Sequence, residues 1–246
     1  MDKKKEWYSD WFDSDYYHSL YKNRNYTEAE FFIQKLVTYL TPEKEDRILD
    51  LACGKGRHSV FLNKLGYQVT GVDLSANSIS YAKQSENKRL HFDVHDMRKV
   101  YKEQSFEFVF NLFTSFGYFD SHLENETVFA AIEDQLTSNG IVVIDYLNAF
   151  KVEKELKPQE VKTEDGIEFH ISKKVKDGNV IKTISFRANG EDHMYQERVE
   201  LITLKDFKNY LDATGLQLID TFGGYQLEAF DPSTSDRLIV LAKKTT

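Results

Sequence analysis

Between Arg47 and Tyr146 the sequence alternates short apolar runs with amphipathic segments, and that alternation leaves few folds open. Ile48–Leu51, Gln68–Val72, Leu90–Val94, Phe106–Leu112 and Ile141–Tyr146 read as strands. Phe106–Leu112 is nearly uninterrupted in its apolar character, as expected of a strand covered on both faces. Arg57–Leu65, Ser75–Gln84 and Leu123–Leu136 carry helical periodicity between them, and Gly140 is expected to end the last. Strands separated by helices predict an α/β chain with a parallel, doubly wound sheet and right-handed crossovers.

The pattern breaks at about residue 150. Ile167–Val175, Val180–Ala188 and Met194–Ile202 read as strands joined by turn chemistry at Lys176–Asn179 and Asn189–Asp192, which predicts an antiparallel meander. Strand and helix then resume. Thr203 caps a helix over Leu204–Leu211 with Asp206 at its third position, Gly215 closes it, and Leu216–Thr221 and Leu238–Ala242 complete a set of seven sheet strands. The expected division is therefore a main domain of 1–150 and 201–246, with 151–200 inserted. Residues 1–40 read as an N-terminal helical lid on the main domain, with one helix capped by Thr27 and carrying Phe31, Phe32, Leu36, Val37 and Leu40 on its apolar face. The aromatics Trp7, Tyr8, Trp11 and Phe12 fit a lid over a site and a helix docked on the core equally well.

Asp50-Leu51-Ala52-Cys53-Gly54-Lys55-Gly56-Arg57-His58 concentrates the chemistry. A buried strand ends there, two glycines allow the backbone to turn and approach a ligand, and a helix begins with free amides at its positive end. Asp73 closes the next strand, where a carboxylate can accept the two hydroxyls of a ribose. A dinucleotide loop would carry a third Gly or Ala three residues after Gly56, and Ser59 stands there instead. That disfavours a nicotinamide dehydrogenase. No Gly-x-x-x-x-Gly-Lys-[Ser/Thr] loop occurs, which disfavours an NTPase. An acid at Asp50 is awkward beside pyrophosphate and suits a ligand bearing an ammonium group.

Composition narrows the partners. Net charge is −8, which argues against nucleic acid as the main partner. The Lys3–Lys5 run reads as a solvated terminus, and no apolar stretch approaches the roughly 20 residues of a spanning helix. With the single cysteine Cys53 and no apolar leader, a cytoplasmic chain acting on a small molecule, away from membranes, is the expectation; oligomeric state is left open.

From Ile48 through Asp145 the chain resembles the class I S-adenosylmethionine-dependent methyltransferases, and the terminal strands fit that family's reversed last hairpin. The resemblance implies a Rossmann-like seven-stranded methyltransferase sheet with helices on both faces, and S-adenosylmethionine as cofactor. It places Asp50 near the cofactor's amino group, Ala52, Cys53, Gly54 and Gly56 against the cofactor, and Asp73 with Leu74 at the ribose. His95-Asp96-Met97 is similar to the adenine-reading segment, with Asp96 accepting from the exocyclic amine. Asn111, Leu112 and Phe113 match the end of the fourth strand, beside the sulfur. Tyr16–Arg24, Phe113–Tyr118 and Leu201–Leu204 look like amino-sugar N,N-dimethyltransferases, by which Tyr21 and Arg24 would close over the cofactor and Arg24 would fork onto its carboxylate.

A sulfonium methyl is already electrophilic, so in-line transfer to nitrogen or oxygen needs alignment and water exclusion more than a strong base. Tyr17, Tyr118, His122 and His193 are the candidate catalytic groups; for any single one, an aromatic pocket wall or a rim histidine is the plainer reading. A cofactor-binding protein without catalysis is the alternative from another class. No metal site is expected. His91-x-Asp93-x-His95 could offer three ligands on one strand face, but that strand is predicted to be central and its end is assigned to adenine. Cys53 is read as a small residue chosen for packing.

Overall fold

The computed structural model describes residues 7–22, 26–119 and 121–245. Seven strands form one sheet: β1 (Arg47–Leu51), β2 (Gln68–Asp73), β3 (Leu90–Val94), β4 (Phe106–Asn111), β5 (Leu136–Leu147), β10 (Leu216–Phe222) and β11 (Arg237–Lys244). Their order is β10-β11-β5-β4-β1-β2-β3. All neighbours are parallel except β11, which runs antiparallel to β5 and β10. The order in which strands are added reverses between β1 and β4, so the C-terminal ends of β1 and β2 open beside a topological switch point, where α/β sheets bind ligands.

Side-chain alternation assigns the two faces. Leu49, Leu51, Val109 and Ile144 meet Val128, Phe129 and Ile132 of α6 (His122–Gln135) and Phe207 and Leu211 of α8 (Leu204–Asp212). Ile48, Phe108, Phe110 and Val143 face the other way. There they meet Phe32, Ile33 and Leu36 of α3 (Tyr26–Leu40), Leu62 of α4 (Arg57–Lys64) and Ile79 of α5 (Ala76–Ala82). The predicted capping box of α8 is present between Thr203 and Asp206. Helix α3 begins at Tyr26, so Thr27 lies inside it and is not its cap.

Two expectations fail at α6 and β5. The helix stops at Gln135 because Leu136 turns extended and pairs with Phe106; β5 therefore starts five residues earlier than its apolar run. Gly140 lies within that strand and ends no helix. A Cβ there would fall 2.9 Å from Leu136 and 3.1 Å from the Phe106 carbonyl, so the glycine serves a close strand approach beside the irregular pairing of Phe106 and Phe108. Strand β3 is an edge strand, not a central one.

The second sheet has four antiparallel strands in sequence order: β6 (Gln159–Glu164), β7 (Ile167–Lys176), β8 (Asn179–Ala188) and β9 (Glu191–Glu200). The short helix α7 (Ala149–Glu155) precedes it. Strand β6 has the sequence Gln-Glu-Val-Lys-Thr-Glu and is mostly exposed at an edge, so it carries no apolar alternation to read. Helices α1 (Trp7–Phe12) and α2 (Asp15–Leu20) pack on this sheet, with Trp11 and Leu20 buried among Phe169, Ile171, Ile184 and Phe186. Of the three N-terminal helices, α1 and α2 pack on the second sheet. Helix α3, expected as part of the lid, belongs to the main core.

Candidate active site

Three residues of the loop after β1 sit in the left-handed region: Ala52 (φ 61°), Gly54 (φ 57°) and Gly56 (φ 79°). Only Ala52 carries the cost of a side chain there. The loop bends so that the Gly54 amide donates to Asp73 Oδ2 at 2.8 Å, while the Ser75 amide donates to Oδ1 at 2.8 Å. Backbone donors thus fix the Asp73 carboxylate at the end of β2, with acceptor capacity remaining on both oxygens. Ser75 also caps α5.

Asp50 stands behind this loop. It shares the strand face of Ile48, points toward α4, and accepts the Ser59 hydroxyl. It is 1% exposed, and burial pushes its pKa up to about 6 against the lowering effect of Ser59. Burial likewise pushes the Cys53 thiol well up, with Asp50 and Asp73 adding to the shift, so no thiolate nucleophile forms here.

At the end of β4, the Asn111 amide donates to the Leu51 carbonyl at 2.9 Å. The next residues, Phe113 and Thr114, take φ of 58° and 57°. Asp145 holds that strained pair: it accepts from the Phe113 amide at 2.8 Å, and its own carbonyl accepts from Thr114 at 2.9 Å. Arg237 completes the support, donating to Asp145 at 2.8 Å and to the Thr114 hydroxyl at 2.8 Å. The Phe113 ring is stacked with His58 at 4.9 Å and lies 4.2 Å from the Arg57 guanidinium, with Tyr225 at 5.1 Å.

These elements surround a cavity of about 380 Å³. Ala52, Cys53, Gly54, Asp73 and Leu74 line one side, and Asp96, Met97 and Phe113 continue it. Tyr17, Tyr21 and Tyr118 line the cavity as well. The Tyr118 hydroxyl donates to the Thr114 carbonyl at 2.8 Å, and the Tyr21 hydroxyl to Glu197 at 2.7 Å. Asp96 is not a bare acceptor: Arg98 forks onto it at 2.8–3.2 Å and holds its pKa down against the opposing effect of burial.

Other expected site residues do not line the cavity. Asp50, Gly56, Asn111 and Leu112 lie behind its wall, because each points into the sheet or into helix packing. Gly56 begins α4 with a Cβ position only 2.6 Å from the Phe92 ring, so its role is helix–strand packing. His122 opens α6 elsewhere, with Tyr210 at 2.8 Å and Glu200 at 3.1 Å. His193 sits on β9, stacked on Phe186 and 3.5 Å from the Tyr16 hydroxyl. Neither histidine reaches the site. Arg24 lies outside the described residues.

Arg57, His58, Lys55, Lys22, His18 and Ser115 join the lining without having been expected. Arg57 had a signal, since the first residue of a helix that follows a ligand loop faces the ligand. His18 and Lys22 fall within Tyr16–Arg24, a segment whose resemblance assigned roles only to Tyr21 and Arg24. Among the described residues no group of three His, Cys, Asp or Glu could hold a metal, and no helix is long and apolar enough to cross a membrane. His95 bonds the Lys99 carbonyl at 2.8 Å, and Asp93 bonds Tyr101.

The donor set fits S-adenosylmethionine. A fixed carboxylate suits a ribose, a glycine loop allows close approach, and Arg57 on the lining with buried Asp50 behind it would offer both signs of charge to an amino-acid tail. Fold and site together define a methyltransferase built on a nucleoside-cofactor sheet. Residues 42–209 match a methyltransferase domain family, and the chain belongs to that family of S-adenosylmethionine-dependent enzymes. It is 26% identical over 241 residues to the putative methyltransferase GWCH70_2453 of Geobacillus sp. (strain WCH70), covering 93% of this chain and 97% of that one. It is 30% identical over 125 residues to the dTDP-3-amino-3,4,6-trideoxy-alpha-D-glucopyranose N,N-dimethyltransferase of Streptomyces venezuelae, about half of each chain (50% and 52%). An S-adenosylmethionine-dependent methyltransferase from Clostridium acetobutylicum shares the fold, with a TM-score of 0.79 at 19% identity, covering 94% and 96% of the two chains.

Proposed function

We propose that this methyltransferase acts on a small-molecule acceptor, with an amine nitrogen as the methylated atom. The observation that carries this reading is the aromatic wall: Phe12, Tyr17, Tyr21 and Tyr118 line the same cavity as the cofactor loop. Phe12 packs edge-on to Tyr118 at 5.2 Å and to Tyr17 at 5.0 Å, leaving a pocket for a compact acceptor. Aromatic faces stabilise an amine that becomes cationic as it is alkylated. The carboxylates lining the cavity among the described residues are Asp73 and Asp96, and both are held by other donors. The Streptomyces venezuelae relative, by its name, methylates an amino sugar.

In this reading Asp73 accepts the ribose hydroxyls, Asp96 and Met97 border the adenine, and Ala52–Gly54 press against the amino-acid tail. Arg57, stacked on Phe113, forks onto the tail carboxylate. Asp50 acts from behind the loop as a negative charge favouring the cationic end. Tyr17 and Tyr118 wall the acceptor, and His122 and His193 have no part. Residues 7–22 cover the site, with 151–200 a distinct inserted unit. Bound S-adenosylmethionine supplies the electrophilic methyl; the residues named bind, orient and exclude water.

A methyl-transfer screen with labelled cofactor over amines, alcohols and thiols tests the proposal. Labelling confined to amines is the expected result. Transfer to alcohols alone, or to RNA or protein in place of every small molecule, overturns it.

A further inference from the structure

Glu197 lies outside the cavity, where the N-terminal helices meet the four-stranded sheet. Three donors from three elements converge on its carboxylate. Trp11 Nε1, from α1, donates to Oε1 at 2.7 Å. The Tyr21 hydroxyl, just past α2, donates to Oε1 at 2.7 Å and lies 3.0 Å from Oε2. Lys182 of β8, directly opposite in the strand register, approaches Oε2 at 3.3 Å and also donates to the Tyr21 hydroxyl. The two charged side chains are only 12% and 16% exposed, and the Lys182 ammonium lies 4.6 Å from the Tyr21 ring centre.

A buried ion pair is a poor device for stability alone, because desolvation offsets much of its attraction. What a carboxylate offers here is acceptor capacity on both oxygens with no proton of its own. That matches an ammonium, an indole N–H and a phenol arriving together. Those donors have unequal surroundings. Trp11 is buried in the sheet contact, packed 4.5 Å from Tyr195, whereas Tyr21 lines the cavity and packs 4.8 Å from Tyr17. The same helices are tied at their other side to the main domain. Asp13 accepts from the Ser75 hydroxyl at 2.6 Å and the Asn77 amide at 3.0 Å, immediately after Asp73.

We propose that Glu197 is a positioning residue for the cofactor: by fixing Trp11 and Tyr21 at once, it holds the aromatic wall against the cofactor loop. The inserted sheet thereby sets how tightly S-adenosylmethionine is retained. This rests on the reading of that wall given above.

Glu197→Gln is the informative variant. It keeps size and one acceptor oxygen, but its amide N–H₂ faces at least one of the three donors. Calorimetry with S-adenosylmethionine should show at least tenfold weaker binding, with faster release in stopped flow and circular dichroism unchanged at the assay temperature. Glu197→Gln with Lys182→Met removes the donor facing the amide and should recover most of the lost affinity. Wild-type binding is the internal reference: if the wild type fails to bind, the cofactor reading itself falls, independently of Glu197. Affinity within twofold of wild type in Glu197→Gln overturns the proposal. So does a melting-temperature loss with unchanged affinity, or a double variant no better than the single one.

Discussion

Asp50 and Asp73 lie near the ends of adjacent parallel strands, and their surroundings give them different work. Asp73 faces the cavity with two backbone donors, while Asp50 is sealed behind the loop with Ser59. Asp50 titrates near pH 6, above the ordinary carboxylate range, because burial penalises its charge. The folded state therefore holds this proton more tightly than the unfolded chain, and between the two pKa values stability falls as pH rises. A cationic ligand favours the ionised form, so S-adenosylmethionine affinity should rise with pH through about 6. Calorimetry across that range should show the rise, and Asp50→Asn should flatten it. His18, His58 and His95 also line the cavity, so a slope that persists in Asp50→Asn would assign the effect to imidazole. For Asp73→Ala, loss of charge-assisted hydrogen bonds predicts about 1.5–3 kcal/mol weaker cofactor binding. Arg57→Ala gives a cleaner test, since its proposed partner is one carboxylate. It should weaken S-adenosylmethionine about tenfold or more and leave methylthioadenosine, which lacks that tail, unchanged. Equal losses for both ligands would reduce Arg57 to a support for Phe113.

At the scale of elements, the glycine loop separates packing from ligand approach. Gly56 and Gly54 both have positive φ, but a Cβ on Gly56 would strike Phe92, and one on Gly54 would meet nothing within 4 Å. Gly56→Ala should therefore cost about 2–4 kcal/mol in urea unfolding, from left-handed strain and overpacking together. Gly54→Ala should cost about 1 kcal/mol from strain, with its larger effect on cofactor affinity because Gly54 lines the cavity. Comparable unfolding losses would contradict this division. The loop was legible in sequence because its information is local: strand, glycine spacing, helix, and an acid on the next strand. The seven sheet strands were legible for the same reason, each carrying its own apolar signal. Strand β6 was not, since an exposed edge strand of Gln, Glu, Lys and Thr needs no apolar face. The start of β5 was missed because pairing with Phe106 overrides the helix-like continuation at Leu136.

Contacts between distant segments decide the rest, and a sequence does not display them. The proposed lid is held by bonds from Trp11 to Glu197 and from Ser75 to Asp13, which no local pattern announces. Helices α1 and α2 therefore bridge two sheets, with apolar anchoring on the four-stranded one and a polar clamp on the seven-stranded one. Opening is expected at the polar side, which is held by hydrogen bonds from Ser75 and the exposed Asn77, whereas Trp11 and Leu20 are buried in the second sheet. A ligand that binds only the closed arrangement stabilises it by mass action, by about 2.7 kcal/mol at a hundredfold excess over its dissociation constant. Hydrogen exchange should therefore slow across Trp11–Leu20 on adding S-adenosylmethionine, and slow far less in α6 and α8, which pack away from the cavity. Asp13→Ala should raise exchange of the lid without ligand and shrink the ligand-induced protection, while leaving β7–β9 unchanged. Equal protection of α6, α8 and the lid would mean that the cofactor tightens the molecule as one body, and the bridge would then have no separate motion to report.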